Sequence, residues 1–253
     1  MGPEKRSRVI TEADKRITAY HEAGHAIVPL SLPGCDPVHE VSIVPRGLAA
    51  GYTMSLPKED QMHVTKNKLL DNIAMALGGR VAEQPKFHDV STGAYSDLQR
   101  SSDIAKKMVT EYGMSESIGP MFLGGQEEVF IAKDWGHQRN YSESLAATVD
   151  GEVRKILEEQ YARAKEVISR DMPSLDRVAQ MLIDYERVNG EEFAAVYHGA
   201  NAADVVGKLG PQPAAKSEPE AEITDEGTLD APEETASVDE ATETEGMPPE
   251  SEA

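Results

Sequence analysis

The feature that most limits the fold is a pair of histidines four residues apart, His21 and His25, inside a stretch of helical apolar spacing that opens near Thr11 and runs to about Val28. Four residues is about one helical turn, so both imidazoles leave one face and reach a single ion together. Ala23, Ala26, Ile27 and Val28 surround them, and buried paired imidazoles need a partner that offsets the loss of water. The local sequence is His21-Glu22-Ala23-Gly24-His25. Neutral imidazole nitrogen is a favoured zinc ligand, and a catalytic zinc site uses three protein ligands and leaves the fourth position to water. Glu22 stands beside that position. There a carboxylate takes a proton from a water whose pKa the metal has lowered, and hydrolysis of a peptide carbonyl is the reaction these parts perform. The plainer reading of the same residues is a helix with two solvated histidines.

The remaining pattern is mainly α. Thr11-Glu12-Ala13-Asp14 resembles a capping box with aspartate in the usual glutamate place. Pro29, Pro33 and Gly34 are expected to stop the first helix at about Val28. Val38 to Val44 alternates apolar and polar residues as a half-buried strand does, Gly51 to Leu56 reads as its partner, and Pro45-Arg46-Gly47 supplies turn chemistry. The expectation is a small antiparallel β-ribbon. From Thr65 to about Glu83, Leu69, Leu70, Ile73, Ala74, Leu77 and Val81 recur at helical spacing, and the Gly78-Gly79 pair points to close packing against a neighbour. After a loop from Pro85 to Tyr95, Ser96 is expected to cap a third helix that ends at Gly113. An irregular segment reaches Tyr141, and residues 142–169, 173–187 and 190 to about 198 read as three further helices. There is no internal repeat.

Composition separates this body from its end. The hydrophobic share of 39 % is somewhat low for a folded globule, and the deficit is local: Pro211 to Ala253 holds 14 Asp/Glu and one Lys. Such a stretch buries too little apolar surface to order itself, so residues 206–253 are expected to form a disordered acidic tail. The tail carries −13 of the net charge of −20, leaving −7 for the body. No dense Lys/Arg surface is present to neutralise phosphates, which argues against nucleic acid as a partner. The single cysteine, Cys35, excludes an internal disulfide framework and fits a reducing compartment. No run approaches the roughly 20 apolar residues of a membrane span, and MGPEKRSRVI lacks the apolar core of a signal peptide. The chain as given is therefore expected to be soluble.

The segment Thr18-Ala19-Tyr20-His21-Glu22-Ala23-Gly24-His25-Ala26 resembles the peptidase domain of the FtsH family of ATP-dependent membrane metalloproteases. Other blocks agree in order: Asp36-Pro37-Val38-His39, VSIVPRG from Val41 to Gly47, Gly78 to Glu83, Ser91-Thr92-Gly93-Ala94, and Met108 to Ser115. The likeness spans about residues 1–200 and implies a helical zinc peptidase over residues 11–205. It also implies the third ligand: the family's aspartate early in the helix after the Thr-Gly-Ala block corresponds to Asp97. Without the resemblance, Asp97 reads as an ordinary acid at a helix start. The chain departs from the family at Tyr95-Ser96, where relatives carry Ser-Asn, and at Gln84-Pro85, a change expected to shorten the glycine-bearing helix.

The resemblance further implies Zn2+ as cofactor, unfolded polypeptides as substrates, and a homohexameric ring in which the helix near 142–169 is a packing element. It implies an ATPase module and transmembrane helices, with the protease domain on the cytoplasmic side of the membrane. No G-x-x-x-x-G-K-[ST] phosphate loop occurs here, and residues 1–10 resemble the junction at which the ATPase ends. Glu83 is a candidate to orient a ligating histidine, or else a surface acid at a helix end. His88 is the alternative third ligand, and His39, His63, His137 and His198 read as surface or packing residues. Two competing readings are a non-catalytic scaffold of the same shape and a closed structural zinc site with Cys35 as the fourth ligand.

Overall fold

A computed structural model describes residues 11–47, 49–57, 62–124 and 141–208. The first residues, the acidic tail from 209 onward and His137 lie outside the described residues, so the expectations made for them are not addressed by the fold.

Helix α1 (Glu12–Leu30) begins at Thr11, whose hydroxyl accepts from Asp14 N at 3.1 Å and donates to Asp14 Oδ2 at 2.7 Å. The box is thus half formed, since the aspartate engages the threonine hydroxyl. Pro29 does not stop the helix at Val28. It sits in the last turn, where its missing N–H leaves only the His25 carbonyl without a helical partner, and Ser31 and Leu32 close the end through the carbonyls of Val28 and Pro29.

Strand β1 (Val38–Ser42) pairs antiparallel with β2 (Tyr52–Ser55), which confirms the ribbon. A third strand, β3 (Arg187–Asn189), adds to the other side of β1 and makes the order β2-β1-β3. The predicted fifth helix ends earlier than expected for this reason. Glu186 takes a left-handed conformation (φ 64°), reverses the chain, and sends Arg187-Val188-Asn189 along β1.

Helix α2 (Lys66–Phe87) runs through Pro85 and is not shortened by it. The proline frees one carbonyl, that of Val81, and left-handed His88 closes the helix by donating its N–H to Gln84 O. The third helix, α3 (Tyr95–Thr110), is not capped by Ser96, which lies inside it. A 3-10 turn, Thr92–Ala94, leads into the helix, and Ser91 caps that turn. The long α4 (Glu143–Arg170) follows, then α5 (Met172–Tyr185), α6 (Gly190–Tyr197) and the short α7 (Ala202–Val205). Asn189 and Glu192 form a complete capping box at the start of α6.

The core has two parts, both of which include α2 or its partner helices. In one, Ala23, Ile27, Val41, Leu175, Leu182, Val188 and Phe193 join α1, the sheet, α5 and α6. In the other, Ile73, Leu77, Met108, Val109 and Val149 join α2, α3 and α4. Where α1 crosses α2, a side chain on Gly24 would overlap the carbonyl of Gly78, and a Cβ on Gly78 would lie 2.8 Å from the carbonyl of Gly24. The two backbones touch, and only glycine allows it. Among the described residues, no helix is long and apolar enough to cross a membrane.

Candidate metal centre

The close crossing sets one stripe of α2 against the histidine face of α1. Met75, Gly79 and Glu83 recur every four residues along that stripe and each serves the histidines differently. The main-chain carbonyl of Met75 accepts from His25 Nδ1–H at 2.9 Å. The Glu83 carboxylate accepts from His21 Nδ1–H at 2.6 Å. Between them, a Cβ on Gly79 would lie 2.6 Å from both Nε2 atoms, so the lack of a side chain there leaves the space the rings face.

With each Nδ1–H donating to these acceptors, both Nε2 atoms point inward and lie 3.0 Å apart. Asp97, in the first turn of α3, brings Oδ2 to 3.2 Å from His21 Nε2 and 3.4 Å from His25 Nε2. Three ligand-type atoms therefore converge. These separations suit an ion held tetrahedrally: zinc–nitrogen bonds of about 2.0–2.1 Å place the ligand atoms of one tetrahedron about 3.3 Å apart. Among the described residues, His21, His25 and Asp97 are the group of three or more such side chains able to hold a metal. His88 is exposed at the end of α2, and Cys35 is half-buried beside Asp71, so neither joins the group.

The electrostatics agree. Burial opposes charge on the His21 ring, yet the carboxylates of Asp97 and Glu83 outweigh it and raise its pKa to about 10. Burial likewise opposes charge on Asp97 and Glu83, but their bonds to the histidines hold both carboxyls below the usual range. The pull on positive charge at Nε2 is one that a divalent cation answers.

Glu22 lies on α1 next to His21 and is 5 % exposed. Burial raises its pKa above the ordinary carboxylate value. Thr53 of β2 donates its hydroxyl to Glu22 Oε2 at 2.9 Å, with the Glu22 carbonyl 3.2 Å from the same oxygen. Sequence reasoning located His21, Glu22, His25 and Asp97 and raised Glu83. It missed Met75, Gly79 as part of the site, and Thr53. The Gly78-Gly79 pair was the available signal for the second of these.

A buried two-histidine, one-carboxylate cluster with a glutamate beside it, on a mainly helical domain, defines the class of metal-dependent hydrolases that carry both histidines on one helix. The comparisons with known proteins make this specific. The profile of peptidase family M41 matches residues 8–196. The chain belongs to that family and carries a metalloprotease domain. It is 53 % identical over 205 residues to ATP-dependent zinc metalloprotease FtsH 1 of Thermoanaerobacter sp., an alignment covering 81 % of this chain and 34 % of the relative. It is 54 % identical over 194 residues to ATP-dependent zinc metalloprotease FtsH of Caldicellulosiruptor bescii, covering 76 % and 32 %. With the FtsH of Veillonella parvula the identity is 42 % over 239 residues, covering 94 % and 37 %. The chain thus spans about a third of the length of the curated relatives it matches.

Proposed function

We propose that this chain is the zinc-dependent endopeptidase part of an FtsH-type protease. The observation that carries the reading is the convergence of two imidazole nitrogens and a carboxylate oxygen, beside a buried glutamate. His21, His25 and Asp97 would hold the ion. When bound, zinc polarises the scissile carbonyl and lowers the pKa of its water. Glu22 is the general base. It accepts a proton from the attacking water as the new C–O bond forms, then returns a proton to the departing amine as the C–N bond breaks, and so ends as it began. Glu83 and the Met75 carbonyl keep the two rings in the tautomer that ligation requires.

Thr53 is a positioning residue for Glu22, and its strand suggests how substrate is held. In the order β2-β1-β3, β2 is an outer strand, and an extended polypeptide added to its open side would run past the base. Pairing of backbone with backbone has little regard for side chains, which suits unfolded substrates of broad sequence. Replacing Thr53 by Val keeps the shape and removes the donor. Because a hydrogen bond to a charged group contributes about 1.5–3 kcal/mol, we expect kcat to fall about tenfold or more with zinc content unchanged. An unaltered kcat would remove Thr53 from this role.

The whole protein, by the same reading, adds an ATPase module that unfolds substrate, a membrane anchor with this domain on the cytoplasmic side, and a homohexameric ring. Residues 1–10 are the junction to the ATPase, the peptidase runs from 11 past 205 to include Val206, packed on the core, and Gly207, bonded to Glu192, and a solvating acidic tail follows. Metal removal tests the core of the proposal. A chain stripped by chelator should stop cutting a casein-like unfolded protein and recover with one zinc per chain, and without ATP it should leave a stably folded protein intact. Cleavage that survives complete metal removal overturns the zinc reading, and digestion of the folded protein overturns the substrate reading.

A further inference from the structure

Ser91 is bonded to Glu83, which holds His21, and caps the turn that leads into the helix of Asp97. Glu83 is a buried carboxylate, 1 % exposed, and burial makes its ionised form costly unless donors surround it. Three donors do so. His21 Nδ1–H and the Ser91 hydroxyl, the latter at 3.0 Å, share Oε1, and the Ser91 main-chain N–H reaches Oε2 at 2.6 Å. Ser91 alone thus supplies two of the three bonds that hold the carboxylate against the His21 ring.

The same hydroxyl oxygen accepts from Gly93 N–H at 3.1 Å and caps the 3-10 turn Thr92–Ala94. That turn runs directly into α3, and the α3 N-cap, Ala94, offers no side-chain bond of its own. The start of α3, and with it Asp97 three residues on, is therefore set from upstream. One hydroxyl proton points to the carboxylate that orients His21, and one lone pair of the same oxygen fixes the turn that delivers Asp97. A hydroxyl is the smallest group that donates and accepts at once. Alanine can do neither, though it keeps the backbone N–H.

We propose that Ser91 is a positioning residue that couples the orientation of His21 to the placement of Asp97, so that the metal ligands from α1 and α3 are brought into register through one side chain. The inference rests on the zinc-site reading given above. The expectation follows from the size of such effects: loss of a partner that supports a ligand typically weakens metal affinity 10–100-fold.

The test uses the full chain with Ser91→Ala, Ser91→Thr and, should the alanine variant fail to fold, Ser91→Val, which has the shape of threonine without the hydroxyl. Zinc affinity is measured by competition with a chromophoric chelator, the visible absorption of the cobalt(II)-substituted protein reports ligand geometry, and the thermal midpoint of the metal-free protein reports stability. Ser91→Ala, or Val in its place, should bind zinc about 10–100-fold more weakly and alter the cobalt spectrum. Ser91→Thr, which keeps the hydroxyl, should stay close to wild type in both. Wild-type affinity and an unchanged cobalt spectrum in Ser91→Ala overturn the proposal even if its melting point falls, because the serine would then be a cap and nothing more. A wild-type chain that binds no zinc overturns the zinc reading as well, which separates the two failures.

Discussion

Glu22→Gln is expected to abolish measurable cleavage of an unfolded, casein-like protein while leaving the zinc content at the wild-type value. Glutamine has the shape of glutamate but no basic oxygen pair, so it can still accept the Thr53 hydroxyl and cannot take a proton from water. General acid–base groups contribute about 10²–10⁴-fold, and that is the loss expected in kcat/KM. Unfolding cannot imitate the result. Burial disfavours charge on Glu22 and holds its pKa above the usual value, so the uncharged amide removes a strain on the folded state, and the variant should melt no lower than wild type. Retained activity in a zinc-loaded Glu22→Gln would exclude Glu22 as the base. If neither protein cuts although both bind zinc, ring assembly is the next measurement, and an assembled yet inactive ring would favour a non-catalytic scaffold.

Much of this centre was legible because its chemistry resides in side chains at helical spacing. His21 and His25 share a face by spacing alone, and Glu22 follows from standing between them. Asp97 was not derivable in that way. It lies 72 residues beyond His25 on another helix, and only the likeness of its surrounding motif identified it. The parts that went unread act through other means: Met75 through a main-chain carbonyl, Gly79 through having no side chain, and Thr53 through a contact between a strand and a helix. None leaves a pattern until the crossing of α1 and α2 is fixed. Boundaries failed for related reasons. Proline reads as a stop at Pro29 and as a shortening at Pro85, but near a helix end each frees only one carbonyl, which the following turn or solvent can absorb. The strand β3 is three residues long, too short for alternation to register, and it exists because β1 offers an edge that Val188 can reach while burying its side chain.

Gly79→Ala is expected to abolish zinc binding in a chain that still folds. The added methyl carbon would stand 2.6 Å from the Nε2 atoms of both histidines and 2.7 Å from His21 Cε1, which is inside the contact distance of any carbon and nitrogen and in the space an ion at about 2.0–2.1 Å from those nitrogens requires. Relief by moving the helix is closed off. α2 already rests on α1 through the Gly24–Gly78 backbone contact, and withdrawal would open the first core around Ala23, Ala74 and Ala82. The rings must turn instead, and turning them breaks the bonds to Glu83 and Met75 that fix their tautomer. The loss should therefore exceed the roughly 10–100-fold attached to a supporting partner. Metal-free stability should fall as well, because the gain of about 1 kcal/mol of alanine over glycine in a helix interior offsets only part of the crowding and of the lost bonds. Gly24→Ala makes the control. Its methyl meets the Gly78 main chain and not the ligand atoms, so it should lower the thermal midpoint of the metal-free protein without placing an atom between the two Nε2 atoms, and the folded chain should still bind zinc. Wild-type zinc affinity in Gly79→Ala would mean that the ion does not sit between these two rings, and the assignment of His21 and His25 as ligands would fall with it.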